Sequence, residues 1–181
     1  MSRIAAVDRE AATEGVRRNF DAIQKLLGLV PNMMRTMAQS PLVLEGYLGL
    51  NGALSRGQLP ATLREQIALA VAEANNCDYC LSAHSALGRG AGLTPEQIDA
   101  SRDGRAVDAK AGAALRFAVS VLQRRGGVSD NDLAGVRAAG FTDGEIAEIV
   151  AHVALNVFTN YFNRVAETDI DFPKVAAGHF A

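Results

Sequence analysis

Three times the chain repeats one short pattern, a glycine, an apolar residue and a hydroxyl residue: Gly92-Leu93-Thr94, Gly127-Val128-Ser129 and Gly140-Phe141-Thr142. Each hydroxyl can accept an N–H bond from the first turn of a helix and so cap it. Each preceding apolar residue has a partner five positions on, at Ile98, Leu133 and Ile146, where a hydrophobic staple needs one. Thr94 with Gln97, and Thr142 with Glu145, complete capping boxes. A chain punctuated this way is committed to helix over most of its second half.

The first half has the same period. Val16, Phe20, Ile23 and Leu27 recur at three and four, as one face of an amphipathic helix does. Ser40-Pro41 opens a helix through about Leu54, and Leu59-Pro60 opens the next, carrying Leu63, Ile67, Ala70, Val71 and Ala74. No alternating run of strand length occurs, and Gly104, Gly126, Gly127 and Gly140 fall where helices would end. The expected fold is all-α, one domain over residues 1–181 with about eight helices. Segments 61–76 and 143–166 are apolar nearly all round, which suits a bundle centre or a subunit interface and predicts a homo-oligomer. A weak internal echo links them. Glu65, Cys77 and Cys80 have the same spacing as Glu148, Asn160 and Asn163, as two related helical hairpins would.

Composition narrows the function classes. A net charge of −2, with basic pairs only at Arg17-Arg18 and Arg124-Arg125, gives no electrostatic footprint for nucleic acid. The N-terminal stretch meets charge at Asp8 and Arg9, and the apolar run at 67–72 is far short of a bilayer span, so a cytoplasmic protein is expected, with no membrane partner. Two cysteines three apart in a reducing compartment are more often redox-active or metal-binding than structural.

Those cysteines lie in "NNCDYCLSAH". On a helix at about 100° per residue, Cys77, Cys80 and His84 share one face. Asn75-Asn76 caps well and propagates a helix poorly, so a helix is expected to start at Cys77, where the dipole stabilises a thiolate. That argument favours Cys77 as the attacking sulfur. Reach favours Cys80, whose i+4 neighbour is His84 at about 5–6 Å between Cβ atoms, while Cys77 and His84 are two turns apart. A base must reach the proton it removes, so reach weighs more.

Glu65, an eleven-residue gap, Cys77-Asp78-Tyr79-Cys80, a three-residue gap and His84 resemble the E-x11-C-x2-C-x3-H motif of the AhpD-like alkylhydroperoxidases, within the carboxymuconolactone decarboxylase superfamily. The flanks "VPNMMRTMAQSPLVLEGYLGLNGAL" and "NVFTNYFNRVAETDIDFP" resemble its peroxidase-related branch. The resemblance implies an AhpD-like helical bundle assembled as trimers or hexamers, reducing hydroperoxides without haem, flavin or metal. It implies Cys80 as the attacking thiolate, Cys77 as the resolving thiol, and Glu65 with His84 as the proton relay. It also implies an external dithiol reductant, a lipoylated or thioredoxin-like protein. The best-known branch has a histidine where Tyr79 stands here, and tyrosine cannot serve as a base near neutral pH. The relay is therefore expected to be shorter.

Other readings compete. Cys77, Cys80 and His84 could bind zinc with Glu65 or His152, but a structural site usually brings a second tight ligand pair and none is present. Glu65 could be a solvated helix residue. The apolar residues from Ile67 to Ala72 instead predict surroundings dry enough to suit it to proton transfer. His152 reads as a core or interface histidine, Met33, Met34 and Met37 as packing, and Tyr79 as packing against a neighbouring helix. His179 is three residues from the C-terminal end of the sequence. Alternatives to the peroxidase are a redox sensor whose Cys77-Cys80 disulfide switches oligomer packing, and a non-redox decarboxylase or lactone-handling relative, which the cysteine pair argues against.

Overall fold

The computed structural model describes residues 2–178, and His179 lies outside them. Among the described residues there are nine helices and no strand, one helix more than expected. α1 (Glu14–Leu27) buries Val16, Phe20 and Ile23 and ends at Gly28, whose φ of 79° only glycine adopts without cost. α2 (Asn32–Met37), too short to show a period in the sequence, is the additional element; it buries Met33, Met34 and Met37. α3 (Pro41–Leu54) follows Ser40 with proline at its first position, and α4 (Ala61–Ala74) follows Pro60.

α5 (Asp78–Gly90) begins immediately after Cys77. α6 (Pro95–Arg102), α8 (Asp130–Ala138) and α9 (Asp143–Ala166) start at Thr94, Ser129 and Thr142, each with a complete capping box. α7 (Ala109–Gln123) is capped by Asp108. All three repeated start signals are thus helix starts.

α4 packs against α5, α6, α7 and α9, and this central place explains its lack of a wet face. Leu69 and Ala72 join one core with α1, α2 and α5. Leu63, Ile67, Ala70 and Val71 join a second core with α7, α8 and α9. Full burial of each large aliphatic side chain here contributes about 1.5–3 kcal/mol.

α9 is not buried on every side of the isolated chain. One face is buried, yet Val150, Phe158, Tyr161 and Val165 are exposed in the isolated chain, as are Leu42 and Leu50 of α3. The echo also takes another form, because its second half is one unbroken helix. Asn76 adopts φ 51° between α4 and α5, a left-handed conformation that asparagine tolerates. The matching place in α9 holds Thr159, a β-branched residue for which that conformation is costly.

After α9 the chain folds back across the start of α5. Val175 N–H donates to Ser82 Oγ (2.9 Å) and Ala177 N–H to Asp78 Oδ1 (2.9 Å). Below them a buried ion pair, Arg102 Nε to Glu73 Oε2 at 2.8 Å, also bonds the segment: Arg102 donates to Ala176 O and Gly178 N–H donates to Glu73 Oε1. These bonds satisfy charges whose burial would otherwise be costly, and they anchor the helix that carries the cysteines.

Candidate active site

The site starts at the α4–α5 turn. Asn75 Nδ2 donates to Asn160 Oδ1 (2.9 Å), and Arg164 donates to the Asn75 carbonyl (2.9 Å), so α9 fixes the turn from outside. Cys77 is the cap residue of α5 rather than its first helical residue, and its Sγ accepts the Cys80 amide hydrogen at 3.3 Å. Cys77 and Cys80 are joined as a disulfide, with Cα atoms 5.3 Å apart. Both are nearly sealed from solvent, at 1% and 2% exposure. Only Cys80 lines the cavity beside them, whose volume is about 310 Å³.

His84, one turn along α5, also lines this cavity. Its Nδ1 bonds Glu65 Oε2 of α4 at 2.8 Å, and both side chains are partly buried. A carboxylate accepting from Nδ1–H leaves the lone pair on Nε2, the nitrogen able to take a proton. Four separated sequence positions, Glu65, Cys77, Cys80 and His84, thus form one cluster. Among the described residues no group of three or more His, Cys, Asp or Glu side chains is placed to hold a metal ion.

Tyr79 lines the same cavity but is bonded elsewhere. Its hydroxyl accepts the Met33 amide hydrogen at 3.1 Å, and its ring meets Phe172 edge-on at 5.9 Å. Burial, with the nearby Asp171 carboxylate, pushes its phenol pKa far up, outweighing the Met33 bond. Tyr47, also on the cavity wall, is pushed up to about 12 by burial and by the charge of Glu65. Neither phenol exchanges a proton near neutral pH.

Among the cavity residues to which sequence reasoning gave no role at the site, two on α9 stand out. Asn163 Nδ2 donates to Cys80 Sγ at 3.3 Å, so this amide sits against the sulfur facing the cavity. The echo pairs these same two positions, and read as a contact it would have located Asn163. His152 is buried, as its apolar neighbours suggested, but it lines the cavity. Burial first and the Arg64 cation second lower its pKa, with Glu148 and Glu65 opposing, so the ring is held neutral.

Residues 41–124, which include all four expected site residues, match the model of the Carboxymuconolactone decarboxylase family. No curated protein matches the chain in sequence. Solved structures do. The alkylhydroperoxidase AhpD core of a peroxidase-related protein from Ralstonia eutropha JMP134 is 27% identical, with a TM-score of 0.87 over 94% of this chain and 92% of its own. A peroxidase-related protein from Silicibacter sp. TM1040 is 24% identical, with a TM-score of 0.81 over 92% and 88%. A variant of the debrominase Bmp8, in complex with 2,3,4-tribromopyrrole, is 20% identical, with a TM-score of 0.79 over 93% and 91%. With α4 and α5 inside the segment matched by the family model and the AhpD core fold along nearly its whole length, the chain is similar to the AhpD-like proteins of the carboxymuconolactone decarboxylase superfamily.

Proposed function

We propose that the chain is a thiol-dependent peroxidase that reduces hydroperoxides through a Cys77–Cys80 dithiol/disulfide cycle. One observation carries this reading: the cavity-facing sulfur of the pair, Cys80, lies one turn from an imidazole whose other nitrogen is held by Glu65 at 2.8 Å. In the reduced protein His84 Nε2 takes the Cys80 thiol proton. The thiolate attacks the terminal oxygen of R–O–O–H, an S–O bond forms, the O–O bond breaks, and His84 returns the proton to the departing alkoxide as R–OH. Cys77 then displaces water from the Cys80 sulfenic acid, and the disulfide holds the two-electron oxidation. An external dithiol restores the pair.

Because both sulfurs are nearly sealed and only Cys80 borders the cavity, the reductant must enter that cavity. A dithiol on a slender, flexible arm meets this requirement better than one on the face of a folded domain. The test is peroxide consumption with dihydrolipoamide, and separately thioredoxin, as electron source. Turnover of cumene hydroperoxide with dihydrolipoamide, faster than with thioredoxin, is the expected result; no turnover with either points to the redox sensor.

The debrominase likeness and the cavity volume favour a second reading, reductive dehalogenation at the same pair. The balance is R–Br plus two thiols giving R–H, the disulfide and HBr. Bromide release in the same assay distinguishes it.

The assembly proposed for the protein is a trimer or hexamer, with a second copy covering the apolar stripe of α9 and the exposed leucines of α3. Light scattering at micromolar concentration is expected to give that mass; a monomer would remove the proposal.

A further inference from the structure

The cavity is far larger than hydrogen peroxide needs, and one helix contributes a continuous stripe to its lining. α9 contributes His152, Leu155, Asn156, Thr159 and Asn163 to the wall, one face running from residue 152 to residue 163, which at about 1.5 Å of rise per step is about 16 Å of helix. In the middle of this stripe the polar groups bond their own helix. Asn156 Nδ2 donates to the His152 carbonyl at 2.8 Å and Thr159 Oγ1 to the Asn156 carbonyl at 3.1 Å. At the two ends they do not. Asn163 Oδ1 and His152 Nε2 are buried, and neither has a hydrogen-bond partner among the described residues. An unmet buried polar atom is costly unless something bonds to it. His152 as a whole is 5% exposed, so bulk solvent does not serve that end.

The Asn163 end is the Cys80 end, where the same amide touches the sulfur. The His152 end is chemically different. The charges around it are already matched: Arg64 donates to the Leu54 and Ser55 carbonyls, Glu148 accepts the Gln58 and Leu59 amide hydrogens, and Glu65 is bonded to His84. No charge there asks for a counter-ion; a neutral imidazole nitrogen asks for a hydrogen bond. The lining also includes Met33, Leu87 and Leu155, apolar side chains suited to a carbon frame.

We propose that the His152 end of the cavity is a second subsite, which binds an uncharged hydroxyl group of an organic substrate while the reactive atom of that substrate lies at Cys80. This deepens the peroxidase reading and rests on it for the reaction. The substrate class it names is a hydroperoxide with an apolar body and a remote hydroxyl, in preference to hydrogen peroxide. A hydroxyl can donate to the imidazole nitrogen or accept from it, so either tautomer of His152 is served.

The test uses unreactive ligands on the disulfide form, so that absence of peroxide turnover would leave it intact. Hexanediol, octanediol and decanediol are each compared with the mono-alcohol of equal length by calorimetric titration. At the length that spans the cavity, the diol is expected to bind about tenfold more tightly, the effect of one good hydrogen bond. His152→Leu is expected to abolish that preference and His152→Gln to retain part of it. If His152→Leu fails to fold, the imidazole ¹⁵N resonances of the unmodified protein decide, since the diol and not the mono-alcohol must shift the His152 signal. Equal binding of diol and mono-alcohol at every length, a preference that survives His152→Leu, or an unmoved His152 signal would overturn the subsite.

Discussion

Cys80→Ser is expected to abolish peroxide turnover, whereas Cys77→Ser is expected to complete one oxidation per chain and stop at a sulfenic acid on Cys80. Cys80 borders the cavity and Cys77 does not, so only one sulfur meets a peroxide that enters there. His84 and Asn163 both serve that sulfur, one as the neighbouring base and the other through a 3.3 Å contact. Without Cys77 nothing resolves the sulfenic acid, and a dimedone-type reagent with mass spectrometry should locate it on residue 80. A sulfenic acid found on Cys77 in the Cys80→Ser protein would reverse the roles.

The second large effect belongs to the proton relay. His84→Gln removes the imidazole one turn from Cys80, and loss of general-base help typically costs about 10² to 10⁴ in rate. Glu65→Gln is expected to slow the reaction as well, because the amide cannot stabilise the imidazolium that forms when His84 takes the proton. The two act as one unit through the 2.8 Å bond, so the double variant should be little slower than the worse single. In a Cys77→Ser background, thiolate absorbance against pH should show the Cys80 titration displaced to higher pH in His84→Gln. Strictly additive rate losses, or a titration unmoved by either substitution, would assign these residues to structure alone.

Much of this architecture is local and therefore legible in the chain. Thr94, Ser129 and Thr142 cap helices because a hydroxyl, a staple residue and the third helical residue act within six positions, and α3 and α4 start where Pro41 and Pro60 place them. Glu65 and His84 were also accessible, since the spacing of the motif carries both. What escaped sequence reasoning is what depends on distant pairs. Asn163 reaches Cys80 across 83 positions and Asn75 meets Asn160 across 85; helical periodicity encodes neither contact, and only the internal echo pointed to the first. His152 sits among apolar neighbours, and a buried histidine that packs looks the same in sequence as one that faces a cavity. The segment over α5 is held by backbone donors on charged and hydroxyl side chains, bonds to which composition is blind.

The helix-start argument for Cys77 and the reach argument for Cys80 compete only if both concern the peroxide step. Cys77 caps α5, its sulfur already receiving the Cys80 amide hydrogen at the positive end of the helix. In the proposed cycle the incoming dithiol attacks Cys80, and Cys77 departs with the electron pair of the S–S bond. Its new negative charge arrives where an amide and the helix dipole stabilise it, and a less basic leaving thiolate departs faster. In that cycle the start of α5 would ease regeneration rather than the attack on peroxide. Altering that cap would show itself when the reductant is scarce, leaving the first encounter with peroxide almost unchanged.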